Sequence, residues 1–339
     1  CYAQAVESVL EDHGLGSAMK LVGAVYEADP GFVNSCHGNM HDLGKAAYEL
    51  YSEGKEIELT PDVSYCGFGL FHGFLEAMVL SEGSGAKVRE FCRSVGKKLG
   101  GVQEYAEGAC YHGLGHGVTD ASDPRAWGDA YLIAKPGIDT CRAIAPPGEH
   151  LRRCSSGVFN SVANLYSDPM YKLDAKGEPY TLCESENYSE DERISCYAQM
   201  NTVVRFLTKD DLDLMLSFPA TVDKKYRTVA IQNVAAMIYW KKSTPSDEEI
   251  LAACKKLDEQ DSGDCIKGVV DGIIEFGPPD REYEVAIMFC NSEGLTSGER
   301  KICVGEIERT SSGIYSKEKL GDICRLLPRD VLPEKCKEL

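Results

Sequence analysis

The sequence predicts an all-α fold of disulfide-stapled helical hairpins, repeated along the chain and forming an α-solenoid or a closed α/α toroid. Three observations predict it. Cysteines recur in short-spaced pairs, apolar residues follow the second member of many pairs at three- and four-residue intervals, and the two-residue alternation of strands is not seen. The period of roughly 37 residues falls within the range of helical-hairpin repeats, in which each unit buries its apolar face on its neighbours.

Six cysteine pairs carry the pattern: Cys92 with Cys110, Cys141 with Cys154, Cys183 with Cys196, Cys254 with Cys265, Cys290 with Cys303, and Cys324 with Cys336. The first unit opens at Cys1 with "CYAQAVESVL", which returns at 196 as "CYAQMNTVV". The unit at 36, "CHGNMHDLG", places Met40, Leu43, Ala47 and Leu50 in a helical stripe. The unit at 66, "CGFGLFHGFLEAM", does the same with Phe68, Phe71, Leu75 and Met78. "CYHGLGHGV" at 110, "CSSGVFNSVANLY" at 154 and "CIKGVVDGIIEFG" at 265 share the form CxxG followed by helix-spaced apolar residues. A cysteine-free unit is expected at 227–240, and further units begin at Cys303 and Cys336.

Cys1, Cys36 and Cys66 lack a close partner. Cys36 and Cys66 are expected to bridge neighbouring units; Cys1 stands where the second member of a pair belongs, so its partner is expected upstream, a lipid anchor being the other reading. Fifteen cysteines arranged in this way suit an oxidising compartment. The protein is therefore expected to be extracytoplasmic: secreted, periplasmic or on the cell surface.

The 339 residues suffice for one large array or two ordinary domains, and 43% hydrophobic content supplies a core. The net charge of -18 repels a phosphate backbone, which argues against nucleic acid as a partner and favours a cationic protein or peptide. No run of about 18 uncharged apolar residues appears, so no membrane span is expected. Nor does the N-terminus have the basic and apolar regions of a signal peptide. A polar segment at 167–192 is the expected linker between histidine-bearing repeats at 1–166 and histidine-free repeats at 193–339, the latter a scaffold or docking surface.

The histidines add chemistry to the repeat. His41, His72 and His116 each lie three residues after a glycine (Gly38, Gly69, Gly113), and Asn160 occupies the matching place after Gly157. A second shared position, one residue before the glycine, holds His37 and His112, with Phe68 and Ser156 in the other two units. Histidines four apart share a helix face, with β-carbons about 6 Å apart, and such a pair can hold one metal ion. Stacked units bring equivalent positions together, so His37, His41, His72, His112 and His116 are expected to converge on a mono- or dinuclear site. Glu76 and Asp120, four residues beyond His72 and His116, are expected on the same faces as acids, bases or additional ligands.

Gly69 and Gly113, with Gly38, Gly115 and Gly157, each cost about 1 kcal/mol in a helix relative to alanine. Their expected return is close approach of a neighbouring helix or of a flat cofactor, with Asn160 bordering the same space. All-nitrogen ligation beside a carboxylate suits copper first, then iron or zinc. The corresponding expectation is a metal-dependent oxidoreductase of unknown substrate. Two alternatives remain: a non-catalytic repeat scaffold for a protein or peptide, and a protein binding haem noncovalently between histidines. Nucleotide-binding glycine loops, GxSxG, HExxH, CxxC and CxxCH are absent from the sequence, as is the EF-hand spacing.

Overall fold

The computed structural model describes residues 2–33, 35–83, 85–100, 105–239 and 245–338, which are helical with short 3-10 turns and contain no strand. The chain divides into two compact units, Cys1–Leu207 and Thr208–Leu339.

In the first unit the helices run α1 (Tyr2–His13), α2 (Leu15–Ala28), α3 (Pro30–Val33), α4 (Cys36–Ser52), α5 (Tyr65–Glu82), α6 (Ala86–Leu99), α7 (Ala106–Gly117), α8 (Ala130–Ile144), α9 (Glu149–Leu165) and α10 (Glu190–Gln199); α11 (Asn201–Thr208) reaches the boundary. The principal contacts pass from α4 to α5, α5 to α7, α7 to α9 and α9 to α10, while α6 and α8 each lie against the helix that follows them. Glycine sets this succession. A β-carbon on Gly73 would sit 1.8 Å from the His41 carbonyl oxygen, and one on Gly157 would sit 2.0 Å from that of His112. These helices therefore meet backbone to backbone, closer than any other residue permits. The apolar stripes do the rest: Met40, Leu43, Phe71, Leu75, Met78, Leu114 and Phe159 are fully buried, each worth roughly 1.5–3 kcal/mol of transfer free energy.

The second unit contains α12 (Leu212–Ala220), α13 (Lys224–Tyr239), α14 (Asp247–Cys254), α15 (Glu259–Phe276), α16 (Glu282–Cys290), α17 (Ser297–Ile314), α18 (Lys317–Leu326) and α19 (Glu334–Lys337). Here α13 packs on α15 and α15 on α17. Gly268 and Gly272 abut the carbonyls of Gln232 and Ala236, each 2.2 Å from a built β-carbon. Thus α13, the expected cysteine-free segment, meets α15 in the way α4 meets α5. Trp240, its last expected residue, lies outside the described residues.

All six short-spaced cysteine pairs are bridged, with sequence separations of 11 to 18 residues, and Cys36 is bonded to Cys66. Cys1 lies outside the described residues. Five of the short bridges tie a helix to the start of its successor; the sixth ties the 3-10 turn Thr181–Glu184 to α10.

The polar stretch 167–192 is held within the first unit rather than dividing it. Glu192 is fully buried and accepts a two-pronged hydrogen bond from Arg142, at 2.6 and 2.7 Å. It also completes a capping box with Ser189 at the head of α10, while Arg152 pairs with Asp191 at 2.9 Å. The end of this expected linker is the start of α10, docked on α8 and α9 through Arg142 and Arg152. One stretch, Pro61–Glu82, is long and apolar enough by composition to cross a membrane, but most of it is buried inside the protein, largely between α4 and α7.

Candidate metal centre

Five histidines from three helices packed in succession meet: His37 and His41 from α4, His72 from α5, and His112 and His116 from α7. The helical period puts each HxxxH pair on one face, and the glycine contacts press those faces together. Two groups result: His37, His41 and His72, and His72, His112 and His116, each offering three ring nitrogens within 4.8 Å of one another. His72 belongs to both. Its ring centre lies 4.9 Å from those of His37 and His41, 5.0 Å from that of His112 and 4.3 Å from that of His116.

Hydrogen-bonded outer partners orient three of the four flanking rings. Nδ1 of His37 lies 2.7 Å from the Cys66 carbonyl oxygen, which only accepts, so Nδ1 carries the proton and Nε2 is left as a lone pair. Nδ1 of His112 lies 2.6 Å from the Ser156 hydroxyl, and that hydroxyl donates its own proton to the Arg153 carbonyl at 2.8 Å. Ser156 must therefore accept from His112, whose Nε2 is also a lone pair. Nδ1 of His116 contacts the Ser161 hydroxyl at 2.9 Å, and Nδ1 of His41 faces Glu76 at 3.7 Å. The Nε2 atoms turn inward, at 3.2 Å within each pair, and His41 Nε2 also lies 3.0 Å from His72 Nδ1. Rings fixed at one nitrogen by a carbonyl or hydroxyl, as in His37, His112 and His116, and free to bond metal at the other are the usual arrangement of histidine ligands.

The Cys66 carbonyl reaches His37 through an unusual backbone. Cys66, Gly67 and Phe68 all adopt left-handed dihedrals, with φ of 54°, 69° and 57°. For the two non-glycine residues this costs roughly 1–2 kcal/mol each. The strain sits directly at the site, where such outliers concentrate.

Electrostatics keep the cluster uncharged. Burial, reinforced by the neighbouring imidazole of His41, lowers His37 to a pKa of about 4. Burial and Lys45 lower His41 to about 4, and burial and Arg153 lower His112 to about 3. His72 and His116 are pushed well below the ordinary histidine value, first by burial and then by the surrounding rings. At neutral pH all five are neutral imidazoles, the form that binds metal.

The remaining candidate residues fall as follows. Glu76 lies beside His41 and is also paired with Lys45, at 3.4 Å. Asp120 lies beyond the end of α7 at Gly117; it is exposed and accepts a hydrogen bond from the Ser122 amide, so it is not on the helix face of His116. Asn160 directs its amide to Gln199 at 2.9 Å and its carbonyl oxygen to Asn164, while its neighbour Ser161 makes the contact to the cluster. Gly69 and Gly113 face backbone: built β-carbons would lie 2.8 Å from the His37 carbonyl oxygen and 2.5 Å from that of Phe71. Gly38 faces nothing within 4 Å, so it serves no close approach. His150 stands apart, stacked on Tyr111 and 3.3 Å from Glu107.

Sequence reasoning missed Ser161, Lys45 and the Cys66 carbonyl. Ser161 was readable, since it occupies the repeat place of Gly73 and Gly117 and follows Asn160 directly. The carbonyl was not, because its aim depends on the left-handed turn. The chain matches no family model, and comparison with curated proteins and with solved structures returns no match.

Proposed function

We propose that His37, His41, His72, His112 and His116 hold transition-metal ions in an extracytoplasmic metalloprotein, with copper ahead of iron or zinc, and that the protein is a metal-dependent oxidoreductase. The observation that carries this reading is the pair of three-nitrogen groups, each within 4.8 Å and composed of neutral imidazoles. Imidazole suits copper, iron and zinc alike; copper heads the affinity order for such donors. The seven disulfides of the described residues favour an oxidising compartment, where redox chemistry at such a site is in place.

Bound copper or iron would supply one-electron chemistry. The residues of the chain hold and shield it: Cys66, Ser156 and Ser161 fix the ring orientations, and the packed helices limit water. Glu76, charge-paired with Lys45 beside His41, is the carboxylate assigned to proton handling, whereas exposed Asp120 is not given that role. Backbone fills the faces of Gly69 and Gly113, which favours bare ions over a porphyrin. The succession α4, α5, α7, α9, α10 favours a solenoid arrangement of the repeats, with the histidines on adjacent members.

Elemental analysis by mass spectrometry, on untagged protein with intact disulfides and after mild chelation and reconstitution, tests the reading. Near-stoichiometric copper, iron or zinc is expected, with a clear loss in the variant His112→Ala/His116→Ala. No bound metal after reconstitution would overturn the reading, leaving the histidines structural and the scaffold for a cationic protein or peptide as the better account.

A further inference from the structure

We infer that the centre is dinuclear and that His72 is its bridge, one ring nitrogen serving each metal ion; this rests on the metal-site reading above. The two three-nitrogen groups share a single member, His72, and the other four histidines divide between them as one HxxxH pair each. Within each pair the Nε2 atoms are 3.2 Å apart; Nδ1 of His37, His112 and His116 is already held by a carbonyl or hydroxyl, and that of His41 is turned towards Glu76, 3.7 Å away. Each pair therefore presents its two Nε2 donors to one ion. His72 stands between the pairs, and its Nδ1 is committed to the α4 side, 3.0 Å from His41 Nε2. Its Nε2, across the ring, is the atom available to the α7 pair.

Burial supports the same assignment. His72 is 5% exposed and comes from the middle helix of the three, so both its edges face protein rather than solvent. A ring bonded to two ions through both nitrogens gives up its one N–H proton, which passes to solvent buffer, and no change of oxidation state is involved. The resulting imidazolate places one negative charge between two cations, offsetting part of their repulsion. His72 now stacks on His116, their planes 24° apart, and a shared ion on the α7 side requires that stack to open by rotation of one ring.

The test uses copper(II) as the probe on the full, disulfide-bonded chain. Two copper ions per chain are expected at saturation, with an integrated electron paramagnetic resonance signal at low temperature well below that of two isolated copper(II) ions, because an imidazolate bridge couples their spins. His37→Ala/His41→Ala and His112→Ala/His116→Ala should each retain one copper with its full signal, and these pair variants keep His72 in place should His72→Ala fail to fold. One copper at saturation, or two with the full signal of uncoupled ions, overturns the bridge while leaving the metal site standing. No copper at all overturns the metal-site reading itself, and the bridge with it.

Discussion

Ser156 sends its hydroxyl proton to the Arg153 carbonyl, and that commitment decides which nitrogen of His112 faces the cluster. Ser156→Ala removes the acceptor without touching a ligand, so copper affinity is expected to fall roughly 10–100-fold with stoichiometry unchanged. A competition titration against a chelator of known affinity checks this, and an affinity equal to that of the parent would mean that Ser156 does not orient the ring. The five histidines are legible in the sequence because the repeat places them at matching positions, whereas Ser156 shows there only as the residue standing where another unit has histidine. The Cys66 carbonyl is not legible, since nothing in "CGFG" announces left-handed dihedrals at a cysteine and a phenylalanine. Asp120 misleads for a related reason: a residue four beyond His116 shares its face only if the helix continues, and α7 stops at Gly117.

The helices bearing the histidines depend on glycine for their spacing. Gly73→Ala places a methyl group 1.8 Å from the His41 carbonyl oxygen, and a loss of about 3 kcal/mol or more is expected. Gly38→Ala meets nothing within 4 Å and is expected to be neutral or to stabilise by up to about 1 kcal/mol. Chemical denaturation of metal-free protein separates the two, and equal effects would mean that helix contact is not what these glycines serve. The same packing recurs at α13 and α15, yet Asp271 occupies the place of His72 and pairs with Arg309 on α17 at 2.9 Å.

The two units should accordingly respond to pH in opposite directions when metal-free. In the first, His37 and His41 titrate near 4 when folded but near 6.5 when unfolded. As pH falls from about 6.5 towards 4 the unfolded chain takes up protons first, so stability is lost on acidification. In the second, burial raises Glu282 to about 7, and burial likewise raises Asp271. There the unfolded chain ionises first as pH rises from about 4.5 to 7, so stability is lost on alkalinisation. Hydrogen exchange, corrected for intrinsic rate, should show protection of α5 and α7 rising over this range while that of α15 and α17 falls; parallel changes would contradict the assignment.

Over the whole chain, the acidic charge and the disulfides set the conditions under which the fold persists. In the disputed chain-entropy model each short bridge contributes about 3 kcal/mol, so a reductant is expected to lower the midpoint of thermal unfolding by tens of degrees, as scanning calorimetry would report. The helical class and the six short-spaced bridges follow from the sequence because both depend on local spacing. The division after Leu207 does not: Arg142, paired with Glu192, draws a polar stretch back onto α8 and α9 within the first unit, and no local pattern reveals that pairing. The bond between Cys36 and Cys66 bears on the order in which the protein matures. It fastens α4 to the residue whose carbonyl holds His37, so oxidation of these two sulfurs helps to fix the aim of that carbonyl. On the proposed metal-site reading, copper offered before oxidation should bind more weakly on the α4 side than copper offered after it.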